Sequence, residues 1–368
     1  VLLLKLQEQG KLDLDDTIGQ WIQHQHVPGN ITIRQLLNHT SGLYSYTSNP
    51  DMNNYILADF TRVWPPDSVL NLVKAPVAAP GGAWDYCNTN YLLAGLIVRS
   101  VTGKTMQQAL RDEILTPQGL SETYFYPQET PPGTIPHSWS ANLNGSVHED
   151  LVAVHNYSHN AMFSLASSAG AIMATAKDNA LFWDKLMSGQ ILNSGSMTEF
   201  ETLVPIAAGQ GYGLGVFKLN SFNGRPIVSH GGTNIGFIND NIHDKTSGVS
   251  IVMLTNQDSI SNNMLLGYCI GALHKATIQY TNVDVIAHWE EDILVYPNPA
   301  RDELNIDIAK GFADGAVMYD MLGRVVHSMP LQAGANRIGV GGFSSGTYIL
   351  NAVKEDKTVH RQKIQVVQ

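Results

Sequence analysis

The opening residues VLLLKLQEQG place Leu2, Leu3 and Leu6 on one helical face, and Gly10 supplies the left-handed stop that helices commonly use. The pattern reads as the C-terminal half of a helix whose entry lies upstream of Val1. Thr32 is placed to cap a second helix through Ile33, Leu36 and Leu37 that runs to a Ser41-Gly42 stop. Residues 91–101 form a third helix ending at Gly103, 105–115 a fourth, and helical signals cover 171–187. Beyond this the period falls to two. Residues 212–219, 226–230, 236–241 and 249–256 read as successive strands, and their short connections imply antiparallel neighbours. A helix over 261–275 closes this part of the chain.

From about residue 293 the texture changes to short alternating stretches separated by turns. Leu304, Ile306 and Ile308 mark a half-buried strand, and 316–319, 325–329, 346–353 and 358–367 repeat the pattern at roughly ten-residue spacing. That rhythm predicts a small β-sandwich. The predicted organisation is an α+β domain over 1–278, with antiparallel sheet flanked by helices and a helical subdomain. A linker over 279–292 and a C-terminal β-sandwich over 293–368 follow.

Composition narrows the function. The 368 residues carry 22 basic and 32 acidic side chains, a net charge of −10, so no basic stripe is available for nucleic acid. Hydrophobic content of 43% suffices for a sizeable core, while the longest apolar runs, 1–4 and 251–254, are far short of a membrane span. Two cysteines, Cys87 and Cys269, exclude a disulfide framework and a multi-cysteine metal site, and leave open one bridge or two free thiols.

Candidate chemistry concentrates in two segments. In 80–91, PGGAWDYCNTNY, a glycine-bearing loop runs into an apolar helix. Tyr86 and Asn88 are two apart, so in extended chain both side chains point the same way, one able to move a proton and the other to grip an amide. The bland alternative makes Asn88, Thr89 or Asn90 a helix cap and Tyr86 a packed aromatic. Cys87, between them, is expected to point away as a buried thiol. In 229–234, SHGGTN, two glycines beside His230 let a ligand approach backbone N–H groups at a strand edge. The bland alternative is a glycine turn with an exposed histidine.

Three other patterns invite weaker readings. Residues 342–346, GFSSG, match a nucleophile elbow, but a strand rather than a helix follows. His155 and His159 could share one helix face as metal ligands, yet no accompanying ligand pattern supports them. Asp13, Asp15 and Asp16 lack the glycine and glutamate of a calcium loop. No metal or cofactor is expected.

Together, the segments 1–16, 31–43, 80–105, 167–183, 212–217 and 229–237 resemble the serine β-lactamase and penicillin-recognising superfamily, in its class C, D,D-carboxypeptidase and esterase branch. The resemblance covers about residues 1–278. It places Tyr86 and Asn88 on the family's Tyr-x-Asn element and His230-Gly231-Gly232 on its third element, often Lys-Thr-Gly but also His-x-Gly. The N–H of Thr233 would supply half of an oxyanion hole. The family's nucleophile sits in Ser-x-x-Lys at the start of the helix whose tail opens this chain, and none of the thirteen lysines here has a serine three residues before it. The nucleophile is therefore expected ahead of Val1. Without the lysine cation Tyr86 should stay protonated, and the chain as given should be inactive. With an ordinary histidine pKa, His230 would hold a substrate carboxylate more weakly as pH rises.

The C-terminal part resembles a type IX secretion sorting domain, through Tyr296-Pro297-Asn298-Pro299-Ala300, Tyr319-Asp320 with Gly323-Arg324, and Ser345-Gly346-Thr347-Tyr348-Ile349-Leu350. Together the resemblances imply a secreted or cell-surface serine hydrolase. Its substrate would be a D-Ala-D-Ala-like peptide of peptidoglycan, a β-lactam or a small ester, and its partner the secretion machinery. The alternative is a non-catalytic cell-surface binding or adhesion protein on the same fold.

Overall fold

The computed structural model describes residues 1–141, 148–258, 260–281, 293–309, 311–355 and 357–367, and side chains are described for all of these except 260–263 and 279–281. The chain divides into two compact units, Val1–Lys275 and Ala276–Gln368. The predicted linker, 279–292, lies outside the described residues from 282 onward.

In the first unit, α1 (Leu2–Glu8) buries Leu2, Leu3, Leu4 and Leu6, and the chain turns away at Gly10 with φ 66°. Helix α2 (Ile33–Leu37) opens on a capping box. Thr32 accepts the Gln35 N–H, and the Gln35 side chain accepts the Thr32 N–H. The helix stops earlier than its pattern predicts, because His39 turns left-handed at φ 59°. Helix α3 (Asn88–Thr102) is largely buried, with Leu92, Leu93 and Ile97 fully enclosed, and it ends at Gly103 with φ 66°. It begins three residues before the predicted start. The 105–115 helix divides into an α segment, Met106–Leu110, capped by Thr105, and a π segment, Arg111–Leu115.

The helix predicted over 171–187 is a helix only as α4 (Ala176–Met187). Thr175 accepts the Asp178 N–H and so fixes the helix start, while Ile172–Ala174 pairs antiparallel with Thr123–Phe125. A second short pair joins Trp139–Ser140 to Glu149–Asp150.

The main sheet has seven strands: β1 (Val204–Ala207), β2 (Gln210–Tyr212), β3 (Phe217–Phe222), β4 (Arg225–Ser229), β5 (Gly232–Asn234), β6 (Phe237–Asp244) and β7 (Ser250–Thr255). They run β7-β6-β4-β3-β2-β1, with β5 also paired to β6, and every pairing is antiparallel. The single strand predicted over 212–219 is two strands. Gly213 donates its N–H to the Val216 carbonyl at 2.8 Å, and Gly215, at φ 104°, closes the tight turn between them. Helix α5 (Ile260–Thr281) runs past the predicted end at 275, and its Ile270 packs against Ile227, Ile242 and Ile251 of the sheet.

In the second unit one sheet runs β8-β9-β12, with β8 (Ile293–Tyr296), β9 (Glu303–Ile308) and β12 (Gly334–Gly339). The other runs β11-β10-β13-β14, with β10 (Gly315–Asp320), β11 (Val325–Pro330), β13 (Gly346–Lys354) and β14 (Lys357–Val366). Leu304, Ile306 and Ile338 of the first sheet share a core with Met318, Leu350 and Ile364 of the second, which makes a sandwich. Strand β13 opens at Gly346, so a strand does follow the GFSSG segment. Strands β8 and β12 have no counterpart among the predicted elements. No described helix is long and apolar enough to cross a membrane.

Candidate active site

The segment ahead of α3 is held against the turn that follows α2. Gly81 donates its N–H to the Thr40 carbonyl at 2.8 Å and Asp85 to the His39 carbonyl at 2.9 Å. Gly42 sits beneath, at φ 70°, where a β-carbon would lie 2.3 Å from the Ala78 carbonyl oxygen, so no side chain fits there. Cys87 is extended, with φ −142° and ψ 113°, which puts Tyr86 and Asn88 on one side of the chain. Cys87 itself is buried, its thiol pushed up by burial, and both Cys87 and Cys269 are free thiols. Asn88 is not a helix cap. Cys87 occupies the cap position and no side chain bonds there, while the Asn88 N–H donates to Ser45 Oγ and its Nδ2 to Thr47 Oγ1, each at 3.1 Å. Thr89 and Asn90 are buried and bonded to Tyr44, Tyr46 and Ser41.

The second segment includes β5, whose edge away from β6 carries no strand among the described residues. The register pairs Gly232 with Asn239, Thr233 with Ile238 and Asn234 with Phe237, and the His230 N–H donates to the Asn241 carbonyl at 3.2 Å in the same frame. Bonded and non-bonded pairs alternate along an antiparallel ladder, so Thr233 is a non-bonded position whose N–H and C=O face away from β6. A β-carbon on Gly231 would meet the Asn239 carbonyl oxygen at 3.0 Å, and one on Gly232 the Asn239 Nδ2 at 2.9 Å. Both glycines let the edge lie close to its partner strand.

These two segments line one cavity of about 1580 Å³, which Tyr86, Asn88, His230, Gly231, Gly232 and Thr233 all reach. The Tyr86 and His230 rings lie 6.3 Å apart between centroids. His230 Nδ1 stands 2.7 Å from the Gly231 carbonyl, which can only accept, so this nitrogen carries the proton. Nε2 then accepts from the Tyr212 hydroxyl at 3.1 Å. The ring is a satisfied neutral imidazole, and burial lowers its pKa below the ordinary histidine value. This corrects the expectation of an ordinary titration, since the charge of His230 is confined to more acid conditions. Tyr86 is 39% exposed, and burial of the rest of its ring raises its pKa, so the phenol is protonated at neutral pH.

Sequence reasoning missed the residue beneath Tyr86. His39 is fully buried, its ring 4.2 Å from that of Tyr86, 4.9 Å from Tyr212 and 5.4 Å from Tyr91. Its Nδ1 accepts the Cys87 N–H at 3.1 Å and faces Asn90 Nδ2 at 3.1 Å, which leaves the proton on Nε2. Burial, with a smaller effect from His230, pushes its pKa down to about 3. The sequence signal was the histidine directly after a short capped helix, inside NHTSG.

The other candidates lie elsewhere. His155 ends the helix Leu151–His155 and His159 begins the helix His159–Ala166, with Asn156 at φ 52° between them, so the two do not share a helix face. His155 Nε2 pairs with Glu149 at 2.6 Å and His159 Nε2 meets the Pro136 carbonyl at 3.1 Å. Asp15 pairs with Arg34, and Asp16 accepts the Asp13 N–H.

Residues 294–367 match the model of a secretion system C-terminal sorting domain, of the type IX kind, which marks a secreted or cell-surface protein. The protein Flp of Staphylococcus aureus is 26% identical over 274 residues, covering 70% of this chain and 50% of that protein. The chain spans between 50% and 60% of the length of the curated relatives it matches over some 270 residues. Among solved structures, a D-stereospecific amidohydrolase from Streptomyces is 29% identical, with a TM-score of 0.63, covering 69% of this chain and 78% of that one. A penicillin-binding protein from Bacillus halodurans is 25% identical, with a TM-score of 0.63, covering 74% and 81%. Residues 1–264 match the beta-lactamase family model, and by that match over most of its length the chain belongs to the beta-lactamase family.

Proposed function

We propose that this chain serves a secreted serine hydrolase that works through a covalent acyl-enzyme on D-Ala-D-Ala-like peptides, β-lactams or small esters. One observation carries the reading: Tyr86, Asn88, His230 and the free N–H edge at Thr233 converge on a single cavity wall. In this reading Tyr86 handles the proton of the attacking hydroxyl, and Asn88 holds an amide of the substrate. The edge 231–233 aligns the substrate as an added strand, and the Thr233 N–H supports the developing oxyanion. Residues 1–278 carry the chemistry, 279–292 the connection and 293–368 the address. The Streptomyces relative, a D-stereospecific amidohydrolase by name, supports acyl transfer on small chiral amides as within the family's reach.

The chain given has no serine three residues before any lysine, so it lacks the family's nucleophile pair. A protonated Tyr86 has no hydroxyl here to activate. We expect a fluorescent penicillin to leave the 368-residue chain unlabelled while β-lactam binding still shifts the backbone amide resonances of Asn88 and Gly231–Thr233. Covalent labelling would overturn the inactivity. Resonance shifts confined to other surfaces would overturn the site.

A further inference from the structure

Tyr212 stands behind the cavity that Tyr86 and His230 line, and its hydroxyl reaches one of those two residues. Its ring is fully buried, with the ring centroids of Phe217 at 4.7 Å, His39 at 4.9 Å and Trp84 at 5.9 Å. A ring packed on this scale moves only with its neighbours, so the hydroxyl is a fixed point. Burial, with smaller effects from Tyr91 and Tyr86, drives its pKa far above the ordinary phenol value, and at neutral pH it is a donor. The nearby Tyr91 spends its own proton on the Leu37 carbonyl at 3.0 Å, and its phenol oxygen is a weaker acceptor than an imidazole nitrogen. The Tyr212 proton therefore goes to His230 Nε2, 3.1 Å away.

His230 is thereby held at both nitrogens, since its Nδ1–H goes to the Gly231 carbonyl at 2.7 Å. Its backbone is fixed on the β6 side, where the N–H donates to the Asn241 carbonyl at 3.2 Å and the C=O accepts from Asn241 Nδ2 at 2.9 Å. Extending the register of β5 and β6 puts Gly231 opposite Asp240, two residues before Thr233 and in the same non-bonded phase. The Gly231 carbonyl therefore faces away from β6, as the N–H and C=O of Thr233 do. A chain laid along this edge by main-chain hydrogen bonds would look for all three groups. The first is already taken by His230, and the pair on Thr233 remains.

We propose that Tyr212 is a positioning residue: its hydroxyl holds His230 on the Gly231 carbonyl, and this cap makes Thr233 the rung at which an added substrate strand bonds. The part played toward substrate rests on the assignment of this cavity as the substrate site, whereas the cap itself does not. The test follows the ring nitrogens of His230 and the carbonyl carbon of Gly231 by NMR in the 368-residue chain at pH 7.5. The parent is expected to show a protonated Nδ1 and a bare Nε2, a result that needs no substitution. In Tyr212→Phe, which removes one hydroxyl and keeps the ring, the two nitrogen resonances should draw together as the tautomers mix. The Gly231 carbonyl carbon should move upfield as it loses its donor. Tyr46→Phe removes another buried hydroxyl, one that donates to the Leu165 carbonyl at 3.0 Å, and should leave these signals unchanged. A parent protonated at Nε2, signals that stay in place in Tyr212→Phe, or the same change in Tyr46→Phe would each overturn the positioning. Adding N-acetyl-D-alanyl-D-alanine to the parent should move the Thr233 amide resonance while the His230 ring signals hold. Displacement of His230 by this probe overturns the restriction to Thr233 and leaves the site standing. A Thr233 resonance that does not move at the highest soluble concentration overturns the site and leaves the cap as the ring signals report it.

Discussion

A histidine held at φ 59° occupies backbone space that non-glycine residues enter at a cost of roughly 1–3 kcal/mol, and here the surroundings impose it. His39 meets the cost by accepting the Cys87 N–H, facing Asn90 Nδ2 and filling the space under Tyr86. His39→Ala removes the acceptor and leaves a void, so it should destabilise the first unit by about 3 kcal/mol in urea denaturation. His39→Asn, which tolerates the left-handed region and offers an oxygen near the Nδ1 position, should recover part of that loss. A His39→Ala chain as stable as the parent would show that the buried contact is not holding the loop. Tyr86, Asn88 and His230 were legible in the sequence because each sits inside a short local pattern. His39 was not, because its role depends on a hydrogen bond spanning 48 residues and on four rings brought together only by the fold.

At the scale of elements, the closing helix is fixed to the sheet by more than apolar contact. Asp244, at the end of β6 and fully buried, takes Arg225 from β4 at 3.1 Å and His274 from α5 at 3.2 Å, with the Ser247 hydroxyl at 2.8 Å on the same oxygen. Burial alone would raise its pKa. The Thr246 N–H, Ser247, Arg225 and His274 outweigh this and hold the carboxyl well below the usual range. Asp244→Asn removes the charge that Arg225 faces in a buried site, and should cost about 3–5 kcal/mol. Chemical denaturation of the variant checks this, and a loss indistinguishable from zero would mean that the isoleucines carry the contact alone. None of this pairing is visible in sequence, since 19 and 30 residues separate the partners from Asp244. The strands of the main sheet were legible from period-two alternation. The turn inside 212–219 is hidden in the sequence because YGLGVF keeps an apolar rhythm through the bend that Gly213 and Gly215 make possible. The strand within 171–174 is hidden likewise, because AIMA is as compatible with helix as with strand and only the cap at Thr175 fixes where the helix starts.

Across the whole molecule, the change of texture near residue 293 was the legible boundary, because short alternating strands bury one face each and need a core separate from the helical part. Strands β8 and β12 carry little period-two signal, for different reasons. The run ILVY has too few residues to show a period, and GANRIG has a single large apolar side chain, Ile338, to place in the core. Buried histidines give the molecule a common response to acid. Burial lowers the pKa of His39, His159, His230 and His243 in the first unit and of His360 in the second. A histidine whose folded pKa is depressed lets the unfolded chain bind more protons, so its contribution to stability is intact above the unfolded value of 6.5 and drains away as pH falls toward the folded one. For His39, with a folded value of about 3, the loss between neutral pH and pH 5 amounts to about 2 kcal/mol. Asp240, whose pKa burial raises, opposes the trend, and the lowered carboxylates Glu8, Asp15, Asp67 and Asp244 add to it only at still lower pH. Across pH 6.5 to 5 the histidines act together with the Val1 amino group, whose pKa burial lowers to about 6 and whose contribution has the same sign. Urea midpoints of the parent should fall steadily through that window, and His39→Asn should flatten the slope by the share of one residue. A parent midpoint that stays level or rises as pH drops from 6.5 to 5 would mean that these rings gain a proton as easily when folded as when exposed to water.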